Sequence, residues 1–379
     1  MNIYFFLMLF TFFLILISYK KSIGKQNKCL LAICVLWSLV WGLRGYGVGN
    51  DTPEYAKYFN GTGIPFWGYG TVDCPGDTIE PGFIIIGKFL SLFSDSPTFF
   101  FLSVAILQFS AIYYLYKDRC ASLWGLLFFF IVGLGYEAAI IATRQSLSLS
   151  LVLWSVCLLE RVEIHKLNIS FLRKNKKVLF AVALFIFALF THRTSLLIFP
   201  ILVLLYFWKP TKKQAYIIIS GVFLVSLLIP NSIKVIFDTA LSQISLVSDD
   251  NINLLGSRYE DSFDSNITII KIILWAIPVF TCLHYTENNK INTFSFKCFM
   301  VSVMLNLLLT GTSMIERLSI TFTLLGFRNF VPIEVVKNKK VAMIFVLSTL
   351  LFLVRTYQGF ILWDTKADSM VPYFFFWEK

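Results

Sequence analysis

Residues 178–208 read VLFAVALFIFALFTHRTSLLIFPILVLLYFW. Two apolar runs, 178–191 and 195–208, flank a short polar group that contains His192 and Arg193. Runs that are apolar on every side are typical of helices surrounded by lipid or by a large core. The block therefore predicts a helical hairpin with a polar apex.

The same layout recurs in residues 121–159 and 298–331, and similar apolar runs fill most of the 379-residue chain. The pattern predicts an all-α polytopic membrane protein with about twelve transmembrane helices. A thirteenth apolar stretch, 81–94, is short and contains Lys88, which predicts a re-entrant or interfacial helix. The predicted spans are 3–19, 29–43, 97–116, 121–136, 145–159, 178–191, 195–208, 214–230, 267–285, 298–310, 318–331 and 341–358.

The composition supports this class. Apolar residues make up 57% of the chain and charged residues only 15%, whereas a soluble globule carries about a quarter charged residues. Such a chain cannot cover a water-facing surface, which excludes a soluble enzyme, a nucleic-acid-binding domain and a disordered scaffold. The seven cysteines form no CxxC pair and there are three histidines, so we expect neither a metal site nor a cofactor.

Charge distribution predicts the orientation of the spans. The loops 20–28, 117–119, 160–177, 209–213, 286–297 and 334–340 hold 20 of the 33 basic residues and five of the 22 acidic ones. Because basic loops remain in the cytoplasm, we expect both termini and the large loops 44–96 and 231–266 outside. The first span is predicted to be retained rather than cleaved, and residues 1–379 to form one integral membrane domain.

Five arginines are predicted to lie at a similar depth near the outer face. The hairpin arms are shorter than the hydrocarbon core, which is about 30 Å thick, so their apices should be recessed. An arginine at that depth needs a partner or a watery cavity. Glu137 could pair with Arg144, and Asp51 could pair with Arg44. Alternatively, the arginines line a cationic cavity built for an anion such as phosphate. They are Arg44, Arg144, Arg193, Arg317 and Arg355.

Several short motifs resemble the EpsG family of polysaccharide polymerases, relatives of the Wzy O-antigen polymerases. Residues 44–55, RGYGVGNDTPEY, resemble that family's RxxxGxDxxxY stretch. Residues 80–83 (EPGF), 143–145 (TRQ) and 191–195 (THRTS) resemble three further motifs in the same order. Arg317 resembles an arginine of a later turn. The likeness is clear over about residues 40–200 and looser beyond them.

The resemblance implies a membrane glycosyltransferase, with a GT-C-like fold expected. It implies polymerisation of oligosaccharide repeat units carried on undecaprenyl diphosphate, as in O-antigen and lipopolysaccharide biosynthesis, without a metal or a nucleotide sugar. The implied location is the bacterial inner membrane, with the active site facing the periplasm. The implied partners are the lipid-linked donor and acceptor glycans and membrane lipid, a chain-length regulator protein being a further candidate, and no nucleic acid.

Individual residues have alternative interpretations. Asp51 could be the general base, or the N-cap of a helix, since residues 51–54 (DTPE) form a capping-box pattern with Pro53 in the first turn. His192 could be a base, a phosphate donor or a structural residue. Glu80, Gln145 and Ser195 are predicted to support the site.

Two other activities fit the same chain. A flippase for lipid-linked units would also show many spans and a cationic cavity, but it needs charge along its whole path and usually two similar halves. A ligase would transfer the finished glycan to another lipid acceptor. The clustering of arginines near one face favours the polymerase over the flippase, and only the motif resemblance favours it over the ligase.

Overall fold

A computed structural model provides the fold. It describes residues 3–18, 21–48, 52–59, 80–117, 143–160, 175–192, 194–228, 272, 275–276, 279–288, 291, 293–308, 313–329, 338–340, 343, 347, 350–351 and 375–377.

Within these ranges the chain is helical. The helices are α1 (Ile3–Ser18), α2 (Ile23–Gly42), α3 (Thr52–Phe59), α4 (Pro81–Ser91), α5 (Pro97–Tyr116), α6 (Thr143–Leu159), α7 (Lys176–Thr191), α8 (Thr194–Phe207), α9 (Lys212–Leu228), α10 (Phe294–Leu308) and α11 (Ser313–Gly326), with a 3₁₀ turn at Phe327–Asn329.

Nine of the twelve predicted spans correspond to these helices, namely α1, α2 and α5–α11. The segment 121–136 lies outside the described residues, and 267–285 and 341–358 are described only in part. The predicted short helix at 81–94 corresponds to α4, which has 11 residues and a proline at its first position, where proline fits a helix well. The count of twelve spans and the GT-C-like fold stay predictions.

The two helix starts that differ most from the predicted ones are those of α2 and α11. Helix α2 begins at Ile23, six residues before the apolar run starts, because lysine and glutamine are good helix formers and can extend their polar ends into water. Helix α11 begins at Ser313, inside the segment that we expected to be a polar apex. Hydropathy predicts which residues prefer lipid, whereas the helix continues as far as its backbone can hydrogen-bond.

The outer faces of the helices are apolar. Helix α7 exposes Leu179, Phe180 and Phe190, whereas it buries Ala181 and Ala188 completely. A water-soluble helix shows the opposite pattern, while membrane helices place small and polar residues at their contacts. Helices α2 and α5, at 20 residues each, are long and apolar enough to cross a membrane, and several other apolar helices are shorter.

By its contacts the chain forms two compact units, residues 1–200 with 355–379, and residues 201–354. The prediction of one integral domain is not tested by this grouping. In the first unit α2 packs on α5, α5 on α6, and α6 on α7, while α4 packs on α7 and α3 lies against α4 and α5. Between α7 and α8 the rings of Phe185 and Phe199 lie 5.0 Å apart.

Helix α4 approaches the end of α7 closely at Gly82. A Cβ atom at Gly82 would lie 2.7 Å from the carbonyl carbon and oxygen of Phe190 and 2.8 Å from the hydroxyl of Thr191. Because any side chain would meet backbone atoms there, only glycine permits this distance. The contact brings the start of α4 next to the apex that follows Thr191.

The second unit contains α9, α10 and α11, which pack in that order. Two lysines bind the carbonyl groups at helix ends, where the helix dipole favours a positive charge. The Lys212 ammonium donates to the carbonyls of His284 and Thr286 at 2.9 Å, and the Lys297 ammonium donates to that of Trp208 at 2.7 Å. These contacts join 209–213 to 286–297, two loops that the charge pattern predicts on the same side.

The C-terminal segment pairs with the loop after α2. Arg44 and Phe375 form an antiparallel β-bridge, and the backbone N–H of Phe376 donates to the carbonyl of Leu43 at 3.1 Å. Residues 44 and 375 therefore lie on the same side of any bilayer, which requires an even number of crossings between them. The predicted spans provide ten, provided that 81–94 does not cross.

Candidate functional site

Arg44 lies at the end of α2, and its side chain is only 2% exposed. The guanidinium donates from Nη1 to the carbonyl of Trp41 at 2.6 Å. It also donates from Nε to the hydroxyl of Thr52 at 3.1 Å and from Nη2 to that of Thr143 at 3.2 Å. The ring of Phe101 lies 4.5 Å from its central carbon. Arg44 thus joins α2, α3, α5 and α6 at one point.

Arg144 follows Thr143 on α6 and faces other partners. Its Nη1 donates to Oε2 of Glu80 at 3.1 Å, in an ion pair, and its Nε donates to the Tyr55 hydroxyl at 3.2 Å. The Arg144 side chain is 26% exposed and that of Glu80 11%. Arg144 is therefore a firmly positioned cation that remains accessible from outside the helix packing.

Helix α3 carries partners of both arginines. Thr52 and Tyr55 are three residues apart, so they lie on one face of this helix. Tyr55 also belongs to an apolar cluster with Phe83 of α4, Phe100 of α5 and Leu147 of α6. The two arginines are thus supported by a packed cluster of apolar side chains, which stabilises their positions.

His192 lies between α7 and α8 and is half-buried. The backbone N–H of Thr194 donates to its Nδ1 at 3.2 Å, and the Thr194 hydroxyl lies 2.7 Å from the same nitrogen. Because a backbone N–H can only donate, Nδ1 must be an acceptor and the neutral ring carries its proton on Nε2. In this form the His192 side chain accepts a hydrogen bond from the first turn of α8 and carries its proton on Nε2.

The apex at His192 is anchored to α6. The Ser148 hydroxyl donates to the carbonyl of Ala188 at 2.9 Å and lies 2.5 Å from the hydroxyl of Ser195. Ser195 is buried, and so is Gln145, which lies one turn before Ser148 on α6. Ser195 therefore joins the apex to α6, and Gln145 lies next to Arg144; that these residues support the site stays a prediction.

The structure brings Arg44, Arg144 and Glu80 to the start of α6, and it places His192 and Ser195 at the apex against which α4 packs. Asp51, Arg193, Arg355 and the side chain of Arg317 lie outside the described residues, as does Glu137. Among the described residues Glu80 forms an ion pair with Arg144, and the pairing of Arg144 with Glu137 stays a prediction. Helix α3 begins at Thr52, and the roles of Asp51 as base or helix cap both stay predictions.

Sequence reasoning missed three side chains that hold the arginines, Thr52, Tyr55 and Thr143. Each belongs to a motif quoted above, and the three-residue spacing of Thr52 and Tyr55 was the available signal. Serines 146, 148, 150 and 155 of α6 were a further signal, because polar residues in an apolar helix face its neighbours. No three potential metal-ligating residues come together within the described part of the chain.

The apolar helices, with large apolar side chains on their exposed faces, are those of a helical membrane protein. The family comparison specifies the class further. The EpsG family model matches residues 27–375, nearly the whole chain, and the chain therefore belongs to this family, which includes Wzy-like polymerases. It is a polysaccharide-polymerase-like membrane protein. No curated protein and no solved structure is similar enough to match it.

Proposed function

We propose that this protein polymerises oligosaccharide repeat units linked to undecaprenyl diphosphate, at the periplasmic face of the bacterial inner membrane. The observation that carries the proposal is the EpsG family match over residues 27–375. The product would be an O-antigen or a related surface polysaccharide.

In this reaction the bond between the sugar and the lipid diphosphate breaks, and a glycosidic bond forms with a hydroxyl of the next lipid-linked unit. The hydroxyl proton passes to a base, and the lipid diphosphate leaves with the bonding electrons. Negative charge therefore develops on the leaving group, where a preorganised cation lowers the barrier most.

Arg144 fits this role best among the described residues. It is held from two sides by Glu80 and Tyr55, yet about a quarter of its side chain is exposed. Its guanidinium stays charged and is a strong hydrogen-bond donor to phosphate oxygens. Arg44 is nearly completely buried, which supports a role in holding α3 and α6 in place around Arg144. Arg193, Arg317 and Arg355 remain proposed members of the anion site.

His192 is proposed as a hydrogen-bond donor to the diphosphate or to the acceptor sugar. Its Nδ1 accepts a hydrogen bond from Thr194, so Nε2 is the nitrogen that carries the proton. A donor cannot take up the acceptor proton in the same protonation state. Asp51 therefore remains the candidate base, with the helix cap as its alternative role.

The test is the glycan pattern of cells that lack the protein, compared with cells complemented by the wild-type chain. Loss of long chains with single-repeat products remaining supports the polymerase. Complete absence of attached repeats would point to a flippase or a ligase and would overturn the proposal. Complementation with Lys177→Ala, which removes an exposed cation at the other end of α7, should restore the long chains. This variant shows whether loss of one positive charge is by itself enough to stop polymerisation.

A further inference from the structure

The last described residues, Phe375–Trp377, form an aromatic surface beside the cationic site. The rings of Phe375 and Trp377 stack in parallel, with centroids 4.5 Å apart and planes within 4°. Phe376 meets Trp377 edge to face at 4.9 Å. Trp377 is nevertheless 57% exposed, so more than half of its surface stays accessible.

This surface is fixed in position by the backbone. Phe375 forms the β-bridge with Arg44, and the next residue donates its N–H to Leu43. The Arg44 side chain reaches Thr143, the neighbour of Arg144 on α6. A short series of direct contacts therefore leads from Trp377 to Arg144, and all of these residues belong to one compact unit.

We propose that Trp377, held by Phe375 and Phe376, is a saccharide-stacking subsite for the lipid-linked glycan whose diphosphate binds at Arg144. The inference rests on the proposed function. A sugar ring presents a face of C–H groups, and their positive edges are attracted by the negative face of an aromatic ring. A ring that is already fixed loses little entropy when a ligand binds to it, so it favours affinity.

Membrane lipid is the other occupant that an exposed tryptophan could have, since tryptophan is enriched at membrane interfaces. Two features favour the sugar. A lipid contact needs no particular ring orientation, whereas Trp377 is held by two neighbouring rings. The segment is also joined directly to the residue that organises the cationic site, so a glycan bound by its diphosphate would extend past it.

The experiment compares Trp377→Phe, which keeps an aromatic face, with Trp377→Leu, which keeps an apolar side chain but lacks that face. Phe93→Leu serves as a matched control, because Phe93 is 67% exposed in the same unit but lies at the end of α4. The purified full chain in detergent is titrated calorimetrically with repeat-unit oligosaccharides that mild acid releases from the producing strain's own polysaccharide. Membrane abundance of each variant establishes that it folds.

We expect Trp377→Leu to weaken oligosaccharide binding by about 5- to 30-fold and to shorten the glycans made in complemented cells. Trp377→Phe should stay within about threefold of the wild type, and Phe93→Leu should be unchanged. Wild-type binding by Trp377→Leu would overturn the inference, as would equal losses in Trp377→Leu and Phe93→Leu. The proposed function fails separately, if cells without the protein still make long chains.

Discussion

The ion pair between Arg144 and Glu80 provides the sharpest test of the site, because the two residues are predicted to have different roles. Arg144 should bind the substrate, whereas Glu80 should hold Arg144 in position. The informative substitutions are Arg144→Ala, Arg144→Lys and Glu80→Gln. Lysine keeps the positive charge, but it cannot reach Tyr55 and Glu80 together as the guanidinium does.

The magnitude follows from the 3.1 Å distance between Nη1 and Oε2. Two unit charges that far apart attract by about 1.3 kcal/mol in bulk water and by about 5 kcal/mol at an effective dielectric constant of about 20. The side chains are 26% and 11% exposed, so the environment lies between these limits, and desolvation offsets part of the attraction. We expect Glu80→Gln to cost about 1–3 kcal/mol of stability.

Activity should respond differently from stability. Arg144→Ala removes a charged donor from the developing diphosphate, and loss of one such donor typically costs roughly 10²–10³ in rate. Arg144→Lys should recover part of that loss. Glu80→Gln should give intermediate activity, because a glutamine oxygen can still accept a hydrogen bond from Nη1. The assay is the rate of chain extension by purified protein on lipid-linked repeat units, with thermal melting measured in parallel.

The double variant Glu80→Gln with Arg144→Lys completes a mutant cycle. Residues in contact should show a coupling energy of about 0.5–3 kcal/mol in the melting data. Wild-type extension by Arg144→Lys would refute the argument from guanidinium geometry. Full activity of Glu80→Gln, together with a dead Arg144→Ala, would refute the positioning role of Glu80 while leaving the anion site intact.

Four further predictions concern other parts of the chain. Arg44→Lys should lower the melting temperature and membrane abundance more than Arg144→Lys does, because the buried guanidinium of Arg44 joins four helices; equal abundance would contradict this. His192→Asn should keep the α8 cap and normal stability but lose most chain extension, whereas His192→Ala should lose about 1 kcal/mol as well; an active asparagine variant would exclude the Nε2 donor. Gly82→Ala should destabilise the purified protein by about 1–3 kcal/mol, whereas Gly87→Ala on the same helix, which has no neighbouring atom within 4 Å, should melt like the wild type; similar melting of the two would rule out tight packing of α4 on α7. A single cysteine at position 170 on a cysteine-free background should resist an impermeant periplasmic reagent, and its labelling would reverse the predicted orientation.

The positions of the long helices could be predicted from the sequence, because the preference of a side chain for lipid is a local property. Helices α5, α7 and α8 begin and end within about two residues of the predicted boundaries. The start of α2 could not be predicted from hydropathy, since a helix continues through lysines whose charged ends reach water. The arginines were recognisable as candidates because a charged side chain at membrane depth has a high free energy unless a partner or a water-filled cavity stabilises it.

The partners of these arginines could not be predicted in the same way. Glu80 precedes Arg144 by 64 residues in sequence, and nevertheless forms an ion pair with it. The reason is that α4 packs against α7, which packs against α6, so the start of α4 comes near the start of α6. That packing depends on Gly82, whose close approach to Phe190 no propensity or charge pattern reveals.

The different environments of Arg44 and Arg144 follow from the geometry of a single helix turn. Thr143 and Arg144 are consecutive on α6, so their side chains point about 100° apart around its axis. Thr143 faces α2 and receives the Arg44 guanidinium, whereas Arg144 is turned towards α3 and α4, where Tyr55 and Glu80 lie. Two arginines that look equivalent in sequence thus take a buried position and an accessible one. The buried arginine fixes the helices that position the accessible one, which explains why a lipid-embedded site would contain both.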